Sequence, residues 1–217
     1  MINGIQLKVC GQTRAEDARV AAKLGADYLG FILYPKSPRY VSLDNYKALA
    51  PELPAGPRHV AVLVEPSTDE LAEVAASGFD LFQIHFSHTT PLDVIRGWSL
   101  QVGAHRLWLA PKLPPGEDVA TDWLPLAGTF LLDTFHTGGF GGSGQTGDWA
   151  KFLRHQQAYA QHTWILAGGL SPDNVVAAIA HSGTHFVDVN SGVEATPGVK
   201  DHTKLKRLAD ALIGASR

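Results

Sequence analysis

The sequence predicts an α/β fold, a single (β/α)8 barrel of the TIM type spanning residues 1–217, and three observations carry that expectation. Short apolar runs suited to strands alternate with amphipathic stretches suited to helices along the whole chain. The alternation repeats about every 25 residues, with no composition break or linker to divide it. Eight such units fit a barrel near the lower end of the usual ~200 to 400 residues. An open, doubly wound sheet is the alternative architecture.

The first strand is read in Ile5 to Gly11, where Leu7 and Val9 share one face and Gln6, Lys8 and Cys10 the other. Ala18, Ala21, Ala22 and Gly25 then recur at helical spacing, and Tyr28 to Leu33 is a buried strand. Ser42 is expected to cap a helix reaching Ala50, and Arg58 to Val64 is the third strand. Ser67 and Glu70 have the spacing of a capping box. Leu81 to His85 is the fourth strand, followed by a faint helix from Pro91 to Trp98 and a fifth strand from Leu100 to Leu107. A proline-rich loop, Pro111 to Gly116, leads to a weak helical stretch before Gly128. Thr129 to Asp133 is the sixth strand, and a glycine-rich loop delivers the chain to Asp148, the cap of the next helix. Trp164 to Ala167 is the seventh strand. Ser171-Pro172-Asp173 signals a helix start, with a cap residue followed by proline. Phe186 to Asn190 is the eighth strand, and Asp201 caps a last helix with Leu205, Leu208, Ala209 and Leu212 on one face.

Composition narrows the function. Apolar residues make up 45% and charged residues 18%, as in an ordinary globular protein. A net charge of −3 and a pI near 6.3 leave no basic footprint, so no nucleic-acid partner is expected. No apolar run approaches a bilayer span, so neither is a membrane. A single cysteine forbids an intramolecular disulfide and fits a reducing, cytoplasmic setting.

Strand parity gathers the chemistry. Cys10, His85, Asp133 and Asp188 all fall at strand C-terminal ends, on the face opposite the helix-facing apolar residues, and so converge at one mouth of the barrel. Taken singly, each has a plainer reading: an inert core thiol, a satisfied core histidine, carboxylates that cap loops or pair with Lys8. A thiol, an imidazole and carboxylates are also possible zinc ligands, although no tight ligand spacing supports a metal. Gly142 and Gly144 after the sixth strand, Gly168 and Gly169 after the seventh, and Asn190, Ser191 and Gly192 after the eighth are candidates to cradle a phosphate through backbone N–H groups. Plain turns are the alternative. No nucleotide fingerprint is present.

Several segments, in order, resemble one family: Lys8-Val9-Cys10-Gly11-Gln12-Thr13, Ser37-Pro38-Arg39-Tyr40-Val41, Gln83-Ile84-His85, Leu131-Leu132-Asp133, Gly141-Gly142-Ser143-Gly144, Leu166 to Asn174, and Val187 to Glu194. The tail Pro197-Gly198-Val199-Lys200-Asp201 continues the likeness. Together they are similar to the phosphoribosylanthranilate isomerases of tryptophan biosynthesis. The resemblance implies an Amadori rearrangement of a small phosphoribosyl substrate by a monomer or homodimer, without metal or cofactor. It implies Asp133 as general acid and Cys10 as general base, Arg39 as ligand of the anthranilate carboxylate, and His85 and Asp188 as substrate-binding groups. It also makes the glycine, asparagine and serine positions named above the phosphate site.

Three departures stand out. Phe86 follows the histidine where the family has glycine, and is expected to narrow that rim or move His85. Asn190 replaces a serine, and Gly147 stands where an aromatic is usual. The histidine-pathway isomerase, built on two aspartates, is the nearest alternative, and Cys10 argues against it. A binding module without turnover is the other, and Cys10 together with Asp133 disfavours it.

Overall fold

Eight parallel strands close in sequence order into a barrel in the structure, a computed structural model that describes residues 1–133 and 148–215. They are β1 (Gln6–Val9), β2 (Tyr28–Ile32), β3 (Arg58–Val64), β4 (Leu81–Ser87), β5 (Leu107–Lys112), β6 (Thr129–Leu132), β7 (Thr163–Leu166) and β8 (Phe186–Val189). Helices α1 (Ala15–Lys23), α2 (Leu43–Leu49), α3 (Thr68–Ala75), α4 (Leu92–Val102), α5 (Trp149–Ala158), α6 (Val175–Ser182) and α7 (His202–Gly214) pack outside. A short antiparallel hairpin, β9 (Glu194–Thr196) with β10 (Val199–Lys200), joins β8 to α7. Among the described residues no helix is long and apolar enough to cross a membrane.

Alternation along the strands produces two apolar layers. Leu7, Val9, Leu29, Phe31, Phe82, Ile84, Val187 and Val189 face the helices. Val60, Val62, Leu81, Trp108, Leu131, Ile165 and Phe186 fill the barrel together with Cys10. Tyr28 stacks on Phe186 at 5.0 Å and meets Trp108 edge-on at 5.2 Å, so aromatic rings occupy the N-terminal end of the interior. Small residues such as Ala110 and Ala167 lie toward the other end, where a cavity opens.

Local chemistry sets the helix starts. The Ser42 hydroxyl accepts from Asn45 N, Ser67 and Glu70 form the reciprocal capping box, Asp148 caps α5, and Asp201 accepts from both Thr203 N and Lys204 N.

Three boundaries differ from the sequence reading. Leu100 to Val102 are the last turn of α4, and β5 begins only at Leu107. Leu100 is an exposed apolar residue, which disguised the helix as a strand. The link from β5 to β6 is a 3-10 turn, Thr121–Leu126, with Pro125 inside it. α6 starts at Val175, because Asn174 is drawn back across the loop: its Oδ1 accepts from Ser171 N and its Nδ2 donates to Gly169 O.

Candidate active site

β1 and β8 pair in parallel with Lys8 opposite Asp188, so both side chains point into the barrel, and Lys8 Nζ donates to Asp188 Oδ2 at 2.9 Å. The lysine side chain is wholly buried and that of Asp188 nearly so. Burial works against the Lys8 charge, but Asp188 and Cys10 outweigh it and hold the ammonium above its usual range.

Cys10 sits one pleat above, in the lining of the cavity. Burial pushes its thiol up, Lys8 pulls it down, Asp188 adds to the rise, and burial prevails. Gly30 on β2 makes room for this arrangement. A Cβ there would lie 2.9 Å from Cys10 Sγ and 3.0 Å from Lys8 Cε.

The cavity, of about 130 Å³, is lined by Cys10, Arg39, Gln83, His85, Asp133, Gly168, Gly169, Asp188, Asn190 and Ser191 among others. β6 delivers Asp133 to the rim just beyond Leu132, and β4 delivers Gln83 and His85. Gln83 Nε2 donates to His85 Nε2 at 2.7 Å, which leaves Gln83 Oε1 buried without a partner. Burial, and then the Lys8 charge, bring the His85 pKa down to about 4, so the ring is neutral near pH 7. Asp188 Oδ1 is likewise buried and unpartnered. Two acceptors thus await donors in the cavity wall.

Gly168 and Gly169 adopt positive φ, +91° and +62°, and their N–H groups have no protein acceptor among the described residues. Ser191 and Gly192 open a 3-10 turn, whose first N–H groups have no partner within the turn. Gly168, Gly169 and Ser191 thus bring free donors to the cavity at the β7 and β8 ends, which suit an anion. Gly192 does not itself line the cavity. It lies behind, where a Cβ would overlap the Leu170 carbonyl. Gly142, Gly144 and Gly147 lie outside the described residues.

Phe86 corrects an expectation. Its ring points away from the cavity, wholly buried against Trp98 at 5.7 Å and Trp123 at 5.2 Å, and so it does not narrow the rim. Even parity puts it on the helix side of β4, a consequence the sequence already contained. Arg39 lines the cavity, yet one edge of its guanidinium is held by Glu194. Glu194 and Lys200 are the residues that sequence reasoning left without a role. Their signal was two charges within a short stretch that the hairpin buries.

A closed (β/α)8 barrel whose C-terminal mouth combines a thiol, an imidazole, two carboxylates, an arginine and free backbone donors has the architecture of a barrel enzyme. The model of the N-(5'-phosphoribosyl)anthranilate isomerase family matches residues 7–211. The N-(5'-phosphoribosyl)anthranilate isomerase of Pseudomonas fluorescens (strain Pf0-1) is 37% identical over 215 residues, covering 97% of this chain and 100% of that protein. The crystal structure of phosphoribosyl anthranilate isomerase from Thermotoga maritima superposes with a TM-score of 0.77 at 33% identity, covering 97% of this chain and 99% of that one. A structure of such an isomerase in complex with reduced 1-(o-carboxyphenylamino)-1-deoxyribulose 5-phosphate gives a TM-score of 0.73 at 30% identity, covering 97% and 99%. This chain belongs to the N-(5'-phosphoribosyl)anthranilate isomerase family.

Proposed function

We propose that the protein isomerises N-(5'-phosphoribosyl)anthranilate to 1-(o-carboxyphenylamino)-1-deoxyribulose 5-phosphate in tryptophan biosynthesis, with Asp133 as the acid and Cys10 as the base. The observation that carries the reading is the pairing of a thiol and a carboxylate across one cavity. Cys10 directly follows β1 and Asp133 directly follows β6, three strands apart around the barrel wall.

Asp133 gives its proton to the ribose ring oxygen as the C1–O bond breaks, and the anilino nitrogen supplies the electrons, leaving an open-chain Schiff base cation. Cys10 then takes the proton from C2. The electron pair left behind forms the enolamine and neutralises the nitrogen, and tautomerisation gives the ketone. Burial disfavours the charged form of Cys10, so the thiolate that takes the C2 proton needs positive charge beside it. Lys8 provides one such charge permanently. The Schiff base provides a second at the moment the base is needed.

In this reading the free N–H groups of Gly168, Gly169 and Ser191 hold the phosphate, Arg39 meets the anthranilate carboxylate, and Gln83 Oε1 and Asp188 Oδ1 accept from ribosyl hydroxyls. A lone thiol as base suits a reducing cytoplasm. Purified protein offered phosphoribosylanthranilate and, separately, the aminated phosphoribosyl substrate of histidine biosynthesis should convert the first and leave the second unchanged. Conversion of the second alone, or of neither, would refute the proposal.

A further inference from the structure

The hairpin that follows β8 plays no part in the chemistry above, yet it places two charged side chains beneath the cavity rim. Glu194 begins β9 and Lys200 ends β10, and register pairs the two residues directly. Glu194 receives Arg39 Nε at 2.9 and 3.0 Å, Arg39 Nη2 at 2.7 Å, Lys200 Nζ at 3.0 Å and Gly198 N at 3.2 Å. Its side chain is 4% exposed. Burial disfavours its charge, but the Arg39 hydrogen bonds and Lys200 prevail, holding the carboxyl below its usual range.

The grip is one-sided. A guanidinium has five N–H donors on two usable edges. Glu194 occupies the edge made by Nε and Nη2. Among the described residues, nothing accepts from Nη1 or from the second Nη2 hydrogen. This free edge has the fork geometry that suits a carboxylate.

Arg39 and Lys200 both face one carboxylate; burial pulls the Lys200 ammonium below its usual range, and Glu194 opposes that shift. Lys200 also donates to Asn190 Oδ1 at 3.0 Å, which fixes that amide with its NH2 group as the remaining donor. Gly11 completes the fit. With φ +71° and no Cβ, it lets Arg39 Cδ and Asn190 Oδ1 approach where a methyl group would stand 3.0 and 2.6 Å from them.

We propose that Glu194, braced by Lys200, is a positioning residue that clamps the inner edge of Arg39 so that the outer edge is presented to the substrate carboxylate. The proposal deepens the reading of Arg39 given above and rests on it. A salt bridge serving only the hairpin would not depend on what Arg39 does for the substrate.

The test is a double-mutant cycle on steady-state kinetics. Glu194→Gln should raise KM for phosphoribosylanthranilate about tenfold, the scale of one charge-assisted hydrogen bond, with kcat within about twofold. In an Arg39→Ala background the same change should move KM by less than about twofold. Inhibition by inorganic phosphate, which does not meet Arg39, should be unaltered by Glu194→Gln. Glu194→Asp keeps the charge, shortens the reach, and should fall between wild type and Glu194→Gln, which also covers the case of a poorly folded glutamine variant. Equal KM increases with and without Arg39 would overturn the proposal, as would a glutamine variant with wild-type KM. If Arg39→Ala alone left KM unchanged, the reading of Arg39 itself would fall, and the clamp with it.

Discussion

Gly30 shows how tightly the thiol is placed. Its φ is unexceptional, so the requirement is space rather than backbone freedom, and a methyl group would meet Cys10 Sγ and Lys8 Cε together. Gly30→Ala should therefore lower kcat by more than about tenfold while the protein still folds, because a displacement of a few tenths of an ångström matters at a reacting atom. Turnover and circular dichroism measured on the same sample check this, and wild-type kcat would contradict it. His85 makes a pH prediction. An unfolded chain protonates the ring near 6.5, whereas the folded ring resists until about 4. Between those values the unfolded state binds the extra proton, so stability falls as pH drops through this window. Urea midpoints should decline from about pH 7 to about pH 4.5, and less steeply in His85→Gln. Identical slopes would remove His85 as the cause.

Among the elements, β1 and β8 form the seam at which the barrel closes, and the Lys8–Asp188 pair spans it. Lys8→Met should cost about 3–5 kcal/mol by stranding a buried carboxylate, and adding Asp188→Leu should return most of that loss. Neither variant should turn over substrate, since Lys8 supports the proposed thiolate. Denaturant curves and activity assays separate these effects, and a double variant no more stable than the single one would contradict the account. The same pair marks how far the sequence could be read. Strand parity placed Lys8, Cys10, His85, Asp133 and Asp188 on the interior face, because period two is a property of the backbone. Register was not legible, so the directness of the Lys8–Asp188 contact was not either. Ser67 with Glu70 announced its helix through local hydrogen bonds, while Ser171-Pro172 misled because Asn174 binds back across the loop. α4 was cut short because Leu100, apolar and exposed, broke the expected pattern.

At the scale of the whole molecule, alternation of strand and helix was enough for the barrel, and the ends of its strands were enough for the mouth. The contacts made by the hairpin were out of reach, since Glu194 meets Arg39 across 155 residues of chain and no local pattern encodes such a meeting. Parity applied one residue further would have turned Phe86 outward. The fold brings Cys10 and Asp133 to one cavity, where these two groups are proposed to carry the proton transfers. The most direct measurement is turnover of phosphoribosylanthranilate by Cys10→Ser and Asp133→Asn beside the wild type, in metal-free buffer, with folding verified for each. Conversion by the wild type and losses of at least about 100-fold in both variants are expected. A well-folded variant of either residue that retained wild-type turnover would contradict that assignment.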